Sequence, residues 1–113
     1  MNPVLEGIVG NRSALQVLLF VQNYGEGHAS RIARTFGVSV MGIQRQLARF
    51  ENAGVLVSRT VGRARVFAFN ERSPTVRNLR RFLEAELELL PPETVSAHFR
   101  QRQRPRRSEK ALP

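Results

Sequence analysis

The sequence has 113 residues, 42% of them hydrophobic, and carries 18 Lys and Arg against 9 Asp and Glu, a formal net charge of +9. That length fits one domain with a real core, and that charge favours a polyanionic partner, nucleic acid first and an anionic membrane surface second. Cys is absent, which excludes disulfides, thiolate metal sites and cysteine redox chemistry.

Residues 1–10 read as a lead-in, with Pro3, Gly7 and Gly10 placed to interrupt any long element. Asn11 or Ser13 then offers a cap for a helix reaching about residue 24. Its apolar positions (Ala14, Leu15, Val17, Leu18, Leu19, Val21) are dense enough for burial on most sides. The longest apolar run, residues 17–21, is far too short to span a membrane. The first residues also lack the basic-then-apolar layout of a secretory leader, so a cytoplasmic location is expected.

A short second helix is expected over residues 29–36, with Ile32, Ala33 and Phe36 on one face and Gly37 as its stop. His28, in the loop before it, reads as a cap or surface residue rather than a sensor. Ser39 caps a third helix reaching residue 52 or 53, whose stripe is Val40, Ile43, Leu47 and Phe50. The period then changes from 3.6 to 2. Val55 and Val57, then residues 66–69, predict two strands joined through a basic tip at residues 59–65. Phe67 and Phe69 share a strand face and read as core.

Ser73 and Pro74 form a strong start for a last helix running from about residue 75 to 90, where Pro91 and Pro92 stop it. Arg77, Arg80 and Arg81 fill its first half and Glu84, Glu86 and Glu88 its second, an order that opposes the helix dipole. Its apolar stripe is Val76, Leu79, Phe82, Leu83, Leu87 and Leu90. An antiparallel second copy would set each basic half against an acidic half, so these six are expected to form a homodimer interface. The domain is expected over residues 11–92. A basic, disordered tail is expected over 93–113, of which 93–99 can keep some order.

Helix, helix, tight turn, helix, strand, basic hairpin, strand, helix is the order of an α+β winged helix-turn-helix with an added C-terminal helix. Such a unit sets its second motif helix in the major groove and its hairpin along a neighbouring phosphate ridge. Arg45 can bond guanine bidentately, Gln44 can do the same for adenine, and Met41 can touch a thymine methyl. Ser39 and the amides of the helix start suit a phosphate. Arg49 and Arg59 join these as candidates by position. No catalytic set is visible and no cofactor is called for, so an enzyme is not expected.

Residues 31–57 (RIARTFGVSVMGIQRQLARFENAGVLV) resemble the helix-turn-helix of winged-helix repressors of the arsenic-repressor (ArsR-like) group, and residues 58–70 (SRTVGRARVFAFN) resemble their wing. The likeness runs from about residue 11 to 90 and is most specific at Ala53-Gly54-Val55-Leu56 and at Gly62-Arg63. It implies a transcriptional regulator, usually a homodimer on a palindromic operator of double-stranded DNA. It also implies DNA contacts at Ser39, Met41, Gly42, Gln44, Arg45 and Gln46, with Arg63 and Arg65 in the wing. Gly42 departs from the pattern, which usually carries Ser or Thr there. The metal-sensing members use Cys or His clusters, which His28 and His98 do not supply. The chain is similar, too, to winged helices that accompany small nucleotidyltransferases. Two rival readings stay open: a nucleoid-type binder driven by phosphate contacts, and a protein-interaction adaptor or antitoxin.

Overall fold

Five helices begin with a side chain that accepts a hydrogen bond from a backbone N–H of the first turn. In the computed structural model, which describes residues 2–100, the first of these is α1 (Pro3–Val9), capped by Asn2. The Asn2 Oδ1 accepts from the amides of Val4 and Leu5 at 3.0 and 3.2 Å. The expected lead-in is thus a helix. Pro3 sits at its first position, where no intrahelical N–H is needed, and Leu5 anchors it in the core.

Asn11, not Ser13, caps α2 (Arg12–Tyr24), accepting from the Ala14 amide at 2.7 Å. Residues 14 to 21 of α2 are buried without a break. The helix is accordingly the axis of the fold, packed by α1 and by every longer helix that follows. His28 caps α3 (Ala29–Phe36), as the sequence predicts, and Gly37 closes it in the left-handed region at φ 67°. Ser39 caps α4 (Val40–Asn52) through the Met41 amide at 3.2 Å.

The hairpin pairs β1 (Leu56–Val61) with β2 (Ala64–Phe69), in a register from Leu56 opposite Phe69 to Val61 opposite Ala64. Most of the expected tip is therefore strand, and only Gly62 and Arg63 make the turn. Gly62 at φ 61° supplies the backbone that a two-residue connection demands. Phe67 and Phe69 are buried, and Gly27 adds a one-residue third strand by exchanging both backbone bonds with Phe67.

Ser73 caps α5 (Pro74–Glu88), and Pro74 occupies its first turn. The expected dimer stripe is largely used within the chain: Val76 and Leu83 are buried in the core, and Leu79, Leu87 and Leu90 pack against it. Phe82 alone of the six faces solvent. Beyond α5 the chain does not leave the fold at residue 93. A short α6 (Pro92–Thr94) and a π-helical turn (Val95–Phe99) form a strap that lies across α2 and α3. Phe99 is buried, the Tyr24 hydroxyl donates to the His98 carbonyl at 2.7 Å, and the Asn23 amide donates to the Phe99 carbonyl at 3.0 Å. The rest of the expected tail, residues 101–113, lies outside the described residues. Among the described residues no single helix is long and apolar enough to cross a membrane.

Candidate nucleic-acid interface

The stripe that seats α4 on the core consists of Ile43, Gln46, Leu47 and Phe50. This spacing of three, one and three residues is one helical face, so what lies opposite it is fixed. Met41, Gln44, Arg45 and Ala48 are exposed there, and among the described residues Arg45 makes no ion pair. Ser39 is exposed at the start of the helix with its hydroxyl engaged as the cap.

Three expected contacts have other duties. Gln46 is 8% exposed and its Oε1 accepts from Arg49 Nε at 2.9 Å, so it belongs to the packed face. The signal is present in the sequence, since position 46 falls on the stripe of 43, 47 and 50. Arg49 lies over the Phe50 ring and donates to the Val9 carbonyl at 3.0 Å, which closes the end of α1. Gly42 faces α2: a Cβ there would meet Ser13 Oγ at 3.6 Å, an ordinary van der Waals contact.

In the wing, Arg63 stands exposed at the turn without an ion pair among the described residues. Arg59 is held by Glu26 at 2.9 Å across an exposed pair, worth little in stability but enough to orient the strand. Arg65 donates to Ser58 Oγ at 3.0 Å and lies 3.8 Å from Glu51, whose carboxylate accepts from the Ser58 hydroxyl at 2.5 Å. Glu51 thus ties the foot of the wing to α4. Sequence pattern does not single it out, because an acid is not expected where phosphates approach.

Between the start of α3, α4 and the hairpin lies a cleft of about 650 Å³, lined by His28, Ser30, Gln44, Glu51, Arg63 and Arg65 among others. His28 Nδ1 accepts from the Arg31 amide at 3.4 Å, so in the neutral ring the proton is on Nε2. Burial first, then the charges of Arg34 and Arg31, pushes its pKa below the ordinary 6.5. Among the described residues no three His, Asp or Glu side chains gather as metal ligands would.

Two motif helices joined by a tight turn and followed by a two-stranded wing define the winged-helix fold. Solved structures with this fold include the antimony-specific transcriptional repressor AntR, at 23% identity and TM-score 0.58 over 76% of this chain and 73% of that one. A MarR-family transcriptional regulator from Rhodococcus sp. RHA1 is similar at 20% identity and TM-score 0.57, covering 80% of this chain and 71% of its own. YusO from Bacillus subtilis is similar at 18% identity and TM-score 0.53, over 81% and 71%. No protein-family model and no curated protein matches the sequence.

Proposed function

We propose that this chain is a double-stranded DNA-binding transcriptional regulator that reads sequence with the exposed face of α4. The observation that carries this reading is the exposed face of Met41, Gln44 and Arg45 beside Arg63, at the tip of a wing braced by Glu51. Arg45 and Arg63 have no ion-pair partner among the described residues and stand on neighbouring rigid elements. Such a pair suits one duplex: Arg45 on a base edge and Arg63 on a phosphate. The named regulators among the similar structures agree with this reading. So does the resemblance of residues 31–70 to the ArsR-like group. The chain is read as non-catalytic and as acting on cytoplasmic DNA.

Competitive binding to its own upstream DNA against random duplex, at two salt concentrations, tests the reading. The expected result is a specific advantage of about 10³-fold or more that survives added salt. Arg45→Ala is expected to remove about 1–3 kcal/mol of it. Equal affinity for both duplexes, collapsing together with salt, would instead identify the nucleoid-type binder. A co-purifying partner enzyme, with DNA binding untouched by Arg45→Ala, would identify the adaptor.

The homodimer on a palindromic operator belongs to the same proposal, with its interface moved outward. Phe82 and Ala85 on α5 and Leu89, the residue that caps its end, are exposed at spacings of three and four, and α1 lies beside that end with Val4 and Ile8 exposed. A second copy is the occupant that the charges favour, because antiparallel α5 helices set Arg77 and Arg81 against Glu84 and Glu88. Sedimentation at micromolar concentration is expected to show a dimer that Leu89→Glu dissociates. A monomeric native chain would overturn this part alone.

A further inference from the structure

The charge order of α5 has no counterpart on the DNA-binding surface. The C-terminal end of a helix favours cations, yet the last turn of α5 holds no basic residue and carries Glu86 and Glu88. Antiparallel pairing of two α5 helices would use Glu84 and Glu88. Glu86 stands two residues from each, on another face of the helix, and makes no ion pair among the described residues.

Glu86 instead lines a cavity of about 490 Å³ between α1, the end of α5 and the strap. Pro3, Leu5, Leu90 and Pro91 give it apolar walls, while Thr94 and His98 add polar atoms. His98 Nδ1 lies 3.1 Å from the Thr35 carbonyl oxygen, which can only accept, so the neutral ring keeps Nε2 as a further acceptor. The same ring packs on Phe36 at 5.0 Å between centroids, which holds the strap in place as a wall. Asn2 also borders the cavity, but its Oδ1 is taken up by the amides of Val4 and Leu5. In a chain of net charge +9, none of the described residues that line this space is Lys or Arg. The cleft between α4 and the wing, by contrast, carries Arg63 and Arg65.

We infer that this cavity binds a small organic cation with a flat apolar body, an arylalkylammonium, its charge on Glu86 and its body against Leu5, Leu90 and the prolines. The volume is that of a small-molecule site, and its walls come from three segments of one chain. A carboxylate at the negative end of a helix, with no basic neighbour in the lining, attracts a cation and repels an anion. A bare metal ion suits the space poorly, because Glu86 is its single carboxylate and the walls are apolar. Nothing in this site requires that α4 bind DNA.

The test titrates the full chain, by calorimetry, with naphthylmethylammonium, naphthylmethanol and naphthoate, probes of similar shape and different charge. The cation is expected to bind at least about tenfold more tightly than the alcohol, and the anion most weakly. Glu86→Gln is expected to bring the cation down to the level of the alcohol. Glu84→Gln changes the net charge equally and is expected to leave the cation's affinity unchanged, because Glu84 meets Gln22 outside the cavity at 3.1 Å. The chain's two histidines report position by proton NMR. The ring signals of His98 are expected to move during the titration, and those of His28, in the cleft beside the wing, to stay.

Equal affinity for the three probes, or equal loss of binding in both variants, would overturn the site. Movement of the His28 signals alone would overturn it by placing the cation beside the wing. Leu89 belongs both to a wall of the cavity and to the proposed dimer face. Absence of probe binding, with a native dimer that Glu86→Gln dissociates, would therefore assign the cavity to a second copy instead.

Discussion

Gly27 shows how a single hydrogen atom in place of a methyl group joins the wing to the helices. A Cβ at this position would sit 2.6 Å from Phe20 Cε1 and 2.8 Å from Phe20 Cδ1, inside a ring that is itself fully buried. Gly27→Ala must therefore push either Phe20 or the strand bond to Phe67. A loss of about 1–3 kcal/mol is expected in urea unfolding. His28, the next residue, makes stability depend on pH. Its folded pKa is lowered from 6.5, so below that value the unfolded chain binds more protons than the native one. Its stabilising contribution is present above the unfolded pKa and is lost as pH falls through the folded one. His28→Asn keeps a capping oxygen and removes the titration. The fall in urea midpoint between about pH 7.5 and about pH 5.5 is expected to be shallower in that variant.

At the scale of elements, the wing works as a unit because an acid holds its foot. Glu51→Ala releases the Ser58 hydroxyl and the Arg65 guanidinium together. Weaker duplex binding, by several-fold, is expected with a melting temperature changed little, since Arg65 is exposed and Glu51 is only half-buried, where such pairs contribute little. Calorimetry and anisotropy titration on the same samples separate the two effects. Most elements are legible in the sequence because caps and glycine stops are local: His28, Ser39, Ser73 and Gly37 act within one turn of themselves. The departures are of another kind. Pro3 reads as a breaker, although at a first helical position it is a starter. Gln46 reads as exposed but is buried on the packed face, and Arg49, exposed as expected, is engaged by the Val9 carbonyl. Glu51 is invisible as a wing brace because it holds both strands: Ser58 lies on β1, and Arg65 on β2 reaches it only after the hairpin folds back.

For the whole molecule, the stripe on α5 shows the limit of pattern reading, since a periodic apolar face does not say whose core it joins. Val76 and Leu83 join this chain's own. The strap shows the opposite case, a segment with little pattern that packs because α2 and α3 offer Asn23, Tyr24 and Phe36 to it. Those bonds link residues 74 and 76 positions apart. Closing so long a loop is entropically costly until both helices stand ready to receive it. The strap should therefore dock after the rate-limiting step of folding and come away before the rate-limiting step of unfolding is complete. Phe99→Ala is expected to speed unfolding, with a folding rate close to that of the native chain, in stopped-flow measurements. The lifetime of the native state, rather than the speed of reaching it, is then what this π-helical turn controls.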